Sequence, residues 1–200
     1  ILEVWSQGEA EDNRYWFPGW DYPNDKFTLH TDVTIPKGLH AAAPGKFTGI
    51  TPADKGWNTF SYELDEPIVN YLVTIAAGEY QVVTDEGPVP FEYIGSRNLD
   101  PTALKRSLSM AIDQMEYFNE LLGTDYPYSI YRQVLVQRFI YGAMENPSVT
   151  ILADGFYLDS EDTRWFSTDS VVAHELAHVV VRQRRIDRGG WVIWCAERFW

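Results

Sequence analysis

The stretch His174-Glu175-Leu176-Ala177-His178, with Glu197 following it, decides how this chain is read. Val171 to Val180 reads as a helix, so histidines four apart project from one face, one turn above the other. Both imidazoles can then reach a single tetrahedral cation. Two neutral imidazoles and one carboxylate leave the fourth position of a zinc ion open to water. Glu175 lies between the histidines, placed to take a proton from that water instead of binding metal. Eighteen residues separate His178 from Glu197, enough to finish one helix, turn at Gly189-Gly190 and begin another. The five-residue pattern alone can arise on an ordinary amphipathic helix. A suitably spaced glutamate makes it a metal-site signature.

The whole chain sets the bounds. Two hundred residues suit one large domain or two small ones, enough to bury a real core. Apolar content of 45% and charged content of 22% are globular values, which argues against disorder. A net charge of -13 leaves no basic face for phosphates, so no nucleic acid is expected as partner. A cationic ligand, such as a peptide's free amino end, is compatible with it. Cys195 is the single cysteine and precludes an internal disulfide. No apolar run is long enough to span a bilayer, and no signal peptide is visible within the chain, so a soluble chain of unassigned compartment is expected.

Residues 1 to about 90 read as β structure. Phe27 to Ile35 alternates apolar and polar residues, and Pro36-Lys37-Gly38 closes it as a turn. Trp57 to Leu64 and Ile68 to Ile75 are predicted strands, split by Asp65-Glu66-Pro67. Tyr80 to Val83 and Val89 to Ile94 flank the turn at residues 85–88. The character changes at Asp100-Pro101, where Asp can cap a helix and Pro suits its first turn. Leu104, Leu108, Ile112, Met115, Phe118 and Leu122 then form one apolar stripe before Gly123 stops it. Met115 in that stripe reads as core packing. Strands are predicted at 133–137 and 148–152, and residues 167–170, Ser-Thr-Asp-Ser, offer capping oxygens for the histidine helix. The fold class is therefore α+β, with a β-rich region at 1–90 and a mixed region at 91–200. His30, on a strand's alternating face, and His40, in a Gly/Ala/Pro loop, read as surface or hydrogen-bonded histidines.

Gly142-Ala143-Met144-Glu145-Asn146 narrows the chemistry. Glycine permits close backbone approach, a neighbouring sheet edge can pair with an extended peptide, and Glu145 can hold an ammonium. Standing alone, the stretch would read as a turn with one solvated carboxylate. Together with His-Glu-Leu-Ala-His and the later glutamate, it resembles the aminopeptidase N-like zinc peptidases (gluzincins). Residues 5–10, 14–18 and 21–24 are similar to that family's amino-terminal segment, and residues 71–79 to the last strands of its β-saddle domain.

The resemblance implies the rear part of a β-saddle or sandwich domain, followed by the start of a thermolysin-like mixed α/β catalytic domain. It implies one zinc ion per chain on His174, His178 and Glu197, with Glu175 as general base. It makes Glu145 the anchor for a substrate's free amino terminus. Gly142 and Ala143, with Met144 and Asn146 of the same motif, would lie along the substrate, and Gln7 would line the first side-chain pocket. The implied reaction is removal of amino-terminal residues from peptides. Two alternatives stand beside it: a bifunctional epoxide hydrolase/aminopeptidase of the same family, and a non-catalytic binding or scaffold relative.

The chain departs from the family at Val179 to Arg188, where relatives continue with an aromatic-rich run. Its four arginines within seven positions admit a solvated face, a partner contact, or a local sequence or reading-frame error, the last slightly favoured. Ala196-Glu197-Arg198-Phe199 replaces an Asn-Glu-Gly-Phe-like run. The family's transition-state tyrosine would fall after Trp200, so no tyrosine here inherits that role. The chain starts mid-strand at Ile1 and stops soon after the third ligand. It is therefore expected to be a piece of a longer peptidase, with remainder upstream and downstream.

Overall fold

The alternating residues of Phe27–Pro36 form strand β2, antiparallel to β5 (Trp57–Ile68), which pairs on its other side with β4 (Lys46–Ala53). A second three-stranded sheet joins β1 (Glu3–Trp5), β6 (Ala76–Gly78) and β3 (His40–Ala42) in the order β1-β6-β3. These coordinates are a computed structural model that describes residues 2–187, with side chains as far as Val180.

The third sheet positions the site. It comprises β7 (Tyr80–Asp85), β8 (Phe91–Ser96), β9 (Tyr131–Val136), β10 (Ala143–Met144) and β11 (Val149–Ala153), ordered β10-β11-β9-β8-β7. β9 runs parallel to both β8 and β11, while the two edge strands are antiparallel to their neighbours. Both faces are covered, so β9 is buried along its whole length. Val134, Val136, Val149 and Ile151 pack with Leu64, Ile68, Leu72 and Val73 of the amino-terminal part. Tyr131, Leu135 and Leu152 face helices α1 (Pro101–Leu108), α2 (Met110–Leu122) and α3 (Asp169–Asp187). The architecture is α+β, as expected. No described helix is long and apolar enough to cross a membrane.

The expected break at Asp65-Glu66-Pro67 is absent. β5 runs through Pro67 to Ile68, and a 3-10 turn at Asn70–Leu72 stands where the next strand was expected. Pairing with β4 stops at Glu63, so the missing N–H of Pro67 breaks no ladder on that side. A register shift between Phe27 and Leu29, paired with Ile68 and Leu64, accommodates the extra residues. The five-stranded sheet also begins at Tyr80 and so straddles the residue-90 division.

Asp100 caps α1 as expected, its Oδ1 accepting from the Ala103 N–H at 2.7 Å. The single helix expected to Gly123 is two, because Ser109 tightens the chain by accepting the Ile112 N–H. Gly123, at φ +63, closes α2. The side-chain capping expected before α3 comes from Ser167, whose hydroxyl accepts the Asp169 N–H at 3.0 Å. Thr168 accepts the Val172 N–H with its carbonyl, while its hydroxyl donates to the Ser107 carbonyl of α1. That hydroxyl docks one helix on another instead of capping.

His30 is exposed between the carboxylates of Asp32 (3.3 Å) and Glu63 (3.5 Å). His40 stands edge-on to Phe60 at 5.4 Å, half-buried where the two parts of the chain meet. Burial lowers its pKa; Glu92 opposes this, and Arg132 and Arg97 reinforce it.

Two predictions follow from this packing. Met115 is fully buried, so Met115→Ala should cost about 2–5 kcal/mol, read as a lower urea midpoint at unchanged slope. A His40 that resists protonation when folded makes the unfolded chain the better proton binder below its ordinary pKa of about 6.5. Its contribution is thus present above that pH and lost below it. His40→Phe should flatten the fall in urea midpoint as pH drops through about 6.5; an identical fall in both chains would contradict this.

Candidate active site

Helix α3 is held down by Val172, Leu176, Val179 and Val180, buried at helical spacing against the sheet's helix-side core. At 100° per residue, that leaves His174 and His178 on the other side of the helix, where His174 is exposed and His178 half-buried. Their rings meet edge-on, with Nε2 atoms 2.9 Å apart. Two nitrogens bound to one tetrahedral zinc at 2.0–2.1 Å would lie about 3.3 Å apart. The pair is thus aimed at a common point with nearly the spacing such a cation needs. Among the described residues no group of three His, Cys, Asp or Glu side chains surrounds a common point. Glu197, expected as third ligand, lies outside the described residues, as do Gly189-Gly190 and the side chains of the arginine run.

Glu175 turns into the protein and is only 6% exposed. Burial pushes its carboxyl up to about 8, and the charges of Glu145 and Glu9 add to the shift. A positive charge at the histidines or beside these carboxylates would pull it back down. Beneath it, the Tyr131 hydroxyl accepts from Thr150 at 3.0 Å, and burial, together with the charge of Glu175, raises the phenol's pKa.

The Gly-Ala-Met-Glu-Asn stretch lies at the edge of the five-stranded sheet. Ala143 and Met144 form β10, paired with Leu152 and Ile151 on one side only and packed near α3. Gly142 has φ +79, a conformation that suits glycine, and its carbonyl accepts the Ala153 N–H at 2.7 Å. Met144 is buried and its sulfur accepts from Gln7 Nε2 at 3.3 Å, so the structure brings Gln7 to the motif across 137 positions. Glu145 is buried. Asn146 is buried and donates to the Leu72 carbonyl at 3.0 Å, which braces the motif against the amino-terminal part.

Glu9 was not singled out by the sequence. Its charge nevertheless reaches Glu175 alongside that of Glu145. The signal available was the Gln7-Gly8-Glu9 spacing, in which the Gln7 side-chain oxygen accepts from both following N–H groups, at 2.8 and 3.4 Å. Three carboxylates, Glu9, Glu145 and Glu175, therefore share one electrostatic neighbourhood beside two imidazoles. Like charges so placed favour a cation among them.

Comparison with known proteins gives a consistent picture. The family model for the peptidase family M1 domain matches residues 106–181, and that for the peptidase M1 N-terminal domain matches residues 2–72. Aminopeptidase N of Acetobacter pasteurianus is 28% identical over 180 residues, covering 86% of this chain and 50% of that protein. Human aminopeptidase B is 27% identical over 176 residues, covering 88% of this chain and 25% of that protein. Transcription initiation factor TFIID subunit 2 of Drosophila melanogaster is 28% identical over 147 residues, 70% of this chain and 12% of that protein. The chain thus spans half or less of the length of these relatives.

The paired imidazoles generate a direct prediction. Zinc added at about 100 times its dissociation constant should stabilise the chain by about 2.7 kcal/mol, read as a raised thermal midpoint. His178→Ala should abolish that rise. An equal rise in the variant would place the bound zinc elsewhere.

Proposed function

From the premise that this chain belongs to the M1 aminopeptidase-like family, we propose that it carries the hydrolytic centre of a zinc aminopeptidase acting on peptides with a free amino terminus. The observation that carries the reading is the His174–His178 pair on the helix that also carries the buried Glu175, whose carboxyl feels the charge of the buried Glu145. His174 and His178 would hold the zinc, with Glu197 as third ligand. When bound, zinc supplies Lewis-acid chemistry, polarising a carbonyl and acidifying water.

The chain's own residues do the rest. The open side of β10 at Ala143 and Met144 pairs with the extended backbone of a substrate, with Gly142 allowing close approach. Glu145, joined by Glu9, binds the terminal ammonium by charge-assisted hydrogen bonds. Filling that position fixes which peptide bond lies over the histidines, and makes the reaction exopeptidic. Gln7, against Met144, borders the space for the first side chain. The bound ammonium lowers the proton affinity of Glu175, and a metal held by the histidines would do the same, so that Glu175 is returned to the carboxylate form. Glu175 then takes a proton from the attacking water and passes it to the leaving amine.

Sheet membership supports drawing the line between the two parts just before Tyr80 instead of at residue 90. A second reading, a non-catalytic binding or scaffold relative, is favoured by one observation, the similarity to a transcription initiation factor subunit. The intact set His174, Glu175, His178 and Glu145 weighs against it. Nothing in the described residues favours epoxide hydrolysis over peptide hydrolysis.

Glu145→Ala should raise KM for amino-terminally free substrates and erode the preference over acetylated ones. Glu175→Gln should lower kcat by about 10²–10⁴-fold with zinc content unchanged. Steady-state assays on leucine p-nitroanilide and its N-acetyl form check both. Identical kinetics for Glu145→Ala and the parent chain would sink the anchor assignment.

A further inference from the structure

The loop that carries Glu145 is fastened from outside the sheet to which it belongs. Ser148, three residues on, is fully buried and has φ +61, a left-handed conformation that a serine keeps only where its surroundings hold it. Its Oγ accepts the Gly45 N–H at 2.7 Å, and its carbonyl accepts the Arg132 N–H at 2.9 Å. Arg132 of β9 is itself buried and donates from Nη1 to the Gly45 carbonyl at 2.7 Å. The Gly45 backbone is therefore gripped on both its N–H and its carbonyl, by Ser148 of the turn before β11 and by Arg132 of β9.

Gly45 cannot be exchanged for another residue in this grip. It has φ +99, and a Cβ there would lie 2.2 Å from the Glu63 carbonyl oxygen. The far side of the grip is equally fixed. Arg132 Nε binds Glu92 at 2.7 Å, and its guanidinium carbon lies 5.3 Å from the Tyr62 ring centroid. The Tyr62 hydroxyl donates to the Ala41 carbonyl at 2.6 Å. Two more contacts reach the same loop from the amino-terminal part: Gln7 on Met144 and the Leu72 carbonyl on Asn146. Glu145 is bracketed on both sides by residues whose partners lie between positions 7 and 72.

We propose that Ser148 and Arg132 are positioning residues for the amine-binding carboxylate. By clasping the Gly45 peptide, they make the aim of Glu145 depend on the amino-terminal β part of the chain. The inference rests on the reading of Glu145 as the ammonium anchor. Neither residue touches substrate. Their role is to set the loop so that the buried carboxylate faces the ammonium without local rearrangement, which is what preorganised binding requires.

The test is the ratio of dissociation constants for Ac-Leu-Gly-Gly and Leu-Gly-Gly, measured by calorimetry on the zinc-supplemented chain and on Ser148→Ala and Ser148→Gly. Removing the hydroxyl should lower the preference for the free amine roughly fivefold in both variants. Ser148→Gly suits the positive φ, so it keeps the test available if Ser148→Ala does not fold. A merely structural serine would change the thermal midpoint and leave the ratio at the parent value in both variants, which would overturn the inference. A parent chain that binds both peptides equally would instead overturn the anchor reading, and the clasp's proposed role with it.

Discussion

The constraint on which the structure depends is that the five-stranded sheet must be covered on both faces. Its central strands β8, β9 and β11 run parallel and present two apolar surfaces, and each needs a partner. The amino-terminal strands supply one, through Leu64, Ile68, Leu72 and Val73, and the three helices supply the other. From this one requirement come the continuous burial of β9, the alternation of Val134 and Leu135 between opposite cores, and the anchoring of α3 by Leu176 and Val180. The histidines occupy the part of α3 that the sheet does not need. The site is what remains on the helix and the sheet edge after the core is filled.

Electrostatics then gives that remainder its character. Burying Glu175 near Glu145 and Glu9 is unfavourable while all three are charged, and the carboxyl at position 175 responds by holding its proton up to about pH 8. On the proposed reading, a cation at the imidazoles and a substrate ammonium near the carboxylates would resolve that conflict from two sides. On that reading, binding would return Glu175 to the carboxylate form that a general base requires.

Much of this was legible in the sequence because it is local. The i, i+4 histidines, the Asp100 cap, the Gly123 stop and the alternation of Phe27–Pro36 are each written within a few residues. The misreadings are equally instructive. Pro67 was read as a breaker because a sequence does not show where a neighbouring strand stops. The docking role of Thr168 was not legible because its partner, the Ser107 carbonyl, lies 61 positions away. Glu9, Arg132 and Ser148 escaped for the same reason: their partners are distant in sequence, at positions 175, 45 and 92. Motif membership likewise carries no contact: nothing in the sequence shows that the Asn146 side chain donates to the Leu72 carbonyl, 74 positions away.

The central claim is that His174 and His178 together hold a zinc ion in a catalytic setting. X-ray absorption at the zinc edge, on the chain loaded with one equivalent of zinc, tests it most directly. The account predicts two imidazole nitrogens at about 2.0–2.1 Å, with the remaining neighbours oxygen and the imidazole scattering reduced in His174→Ala. A shell of oxygens alone, unchanged by that substitution, would contradict it.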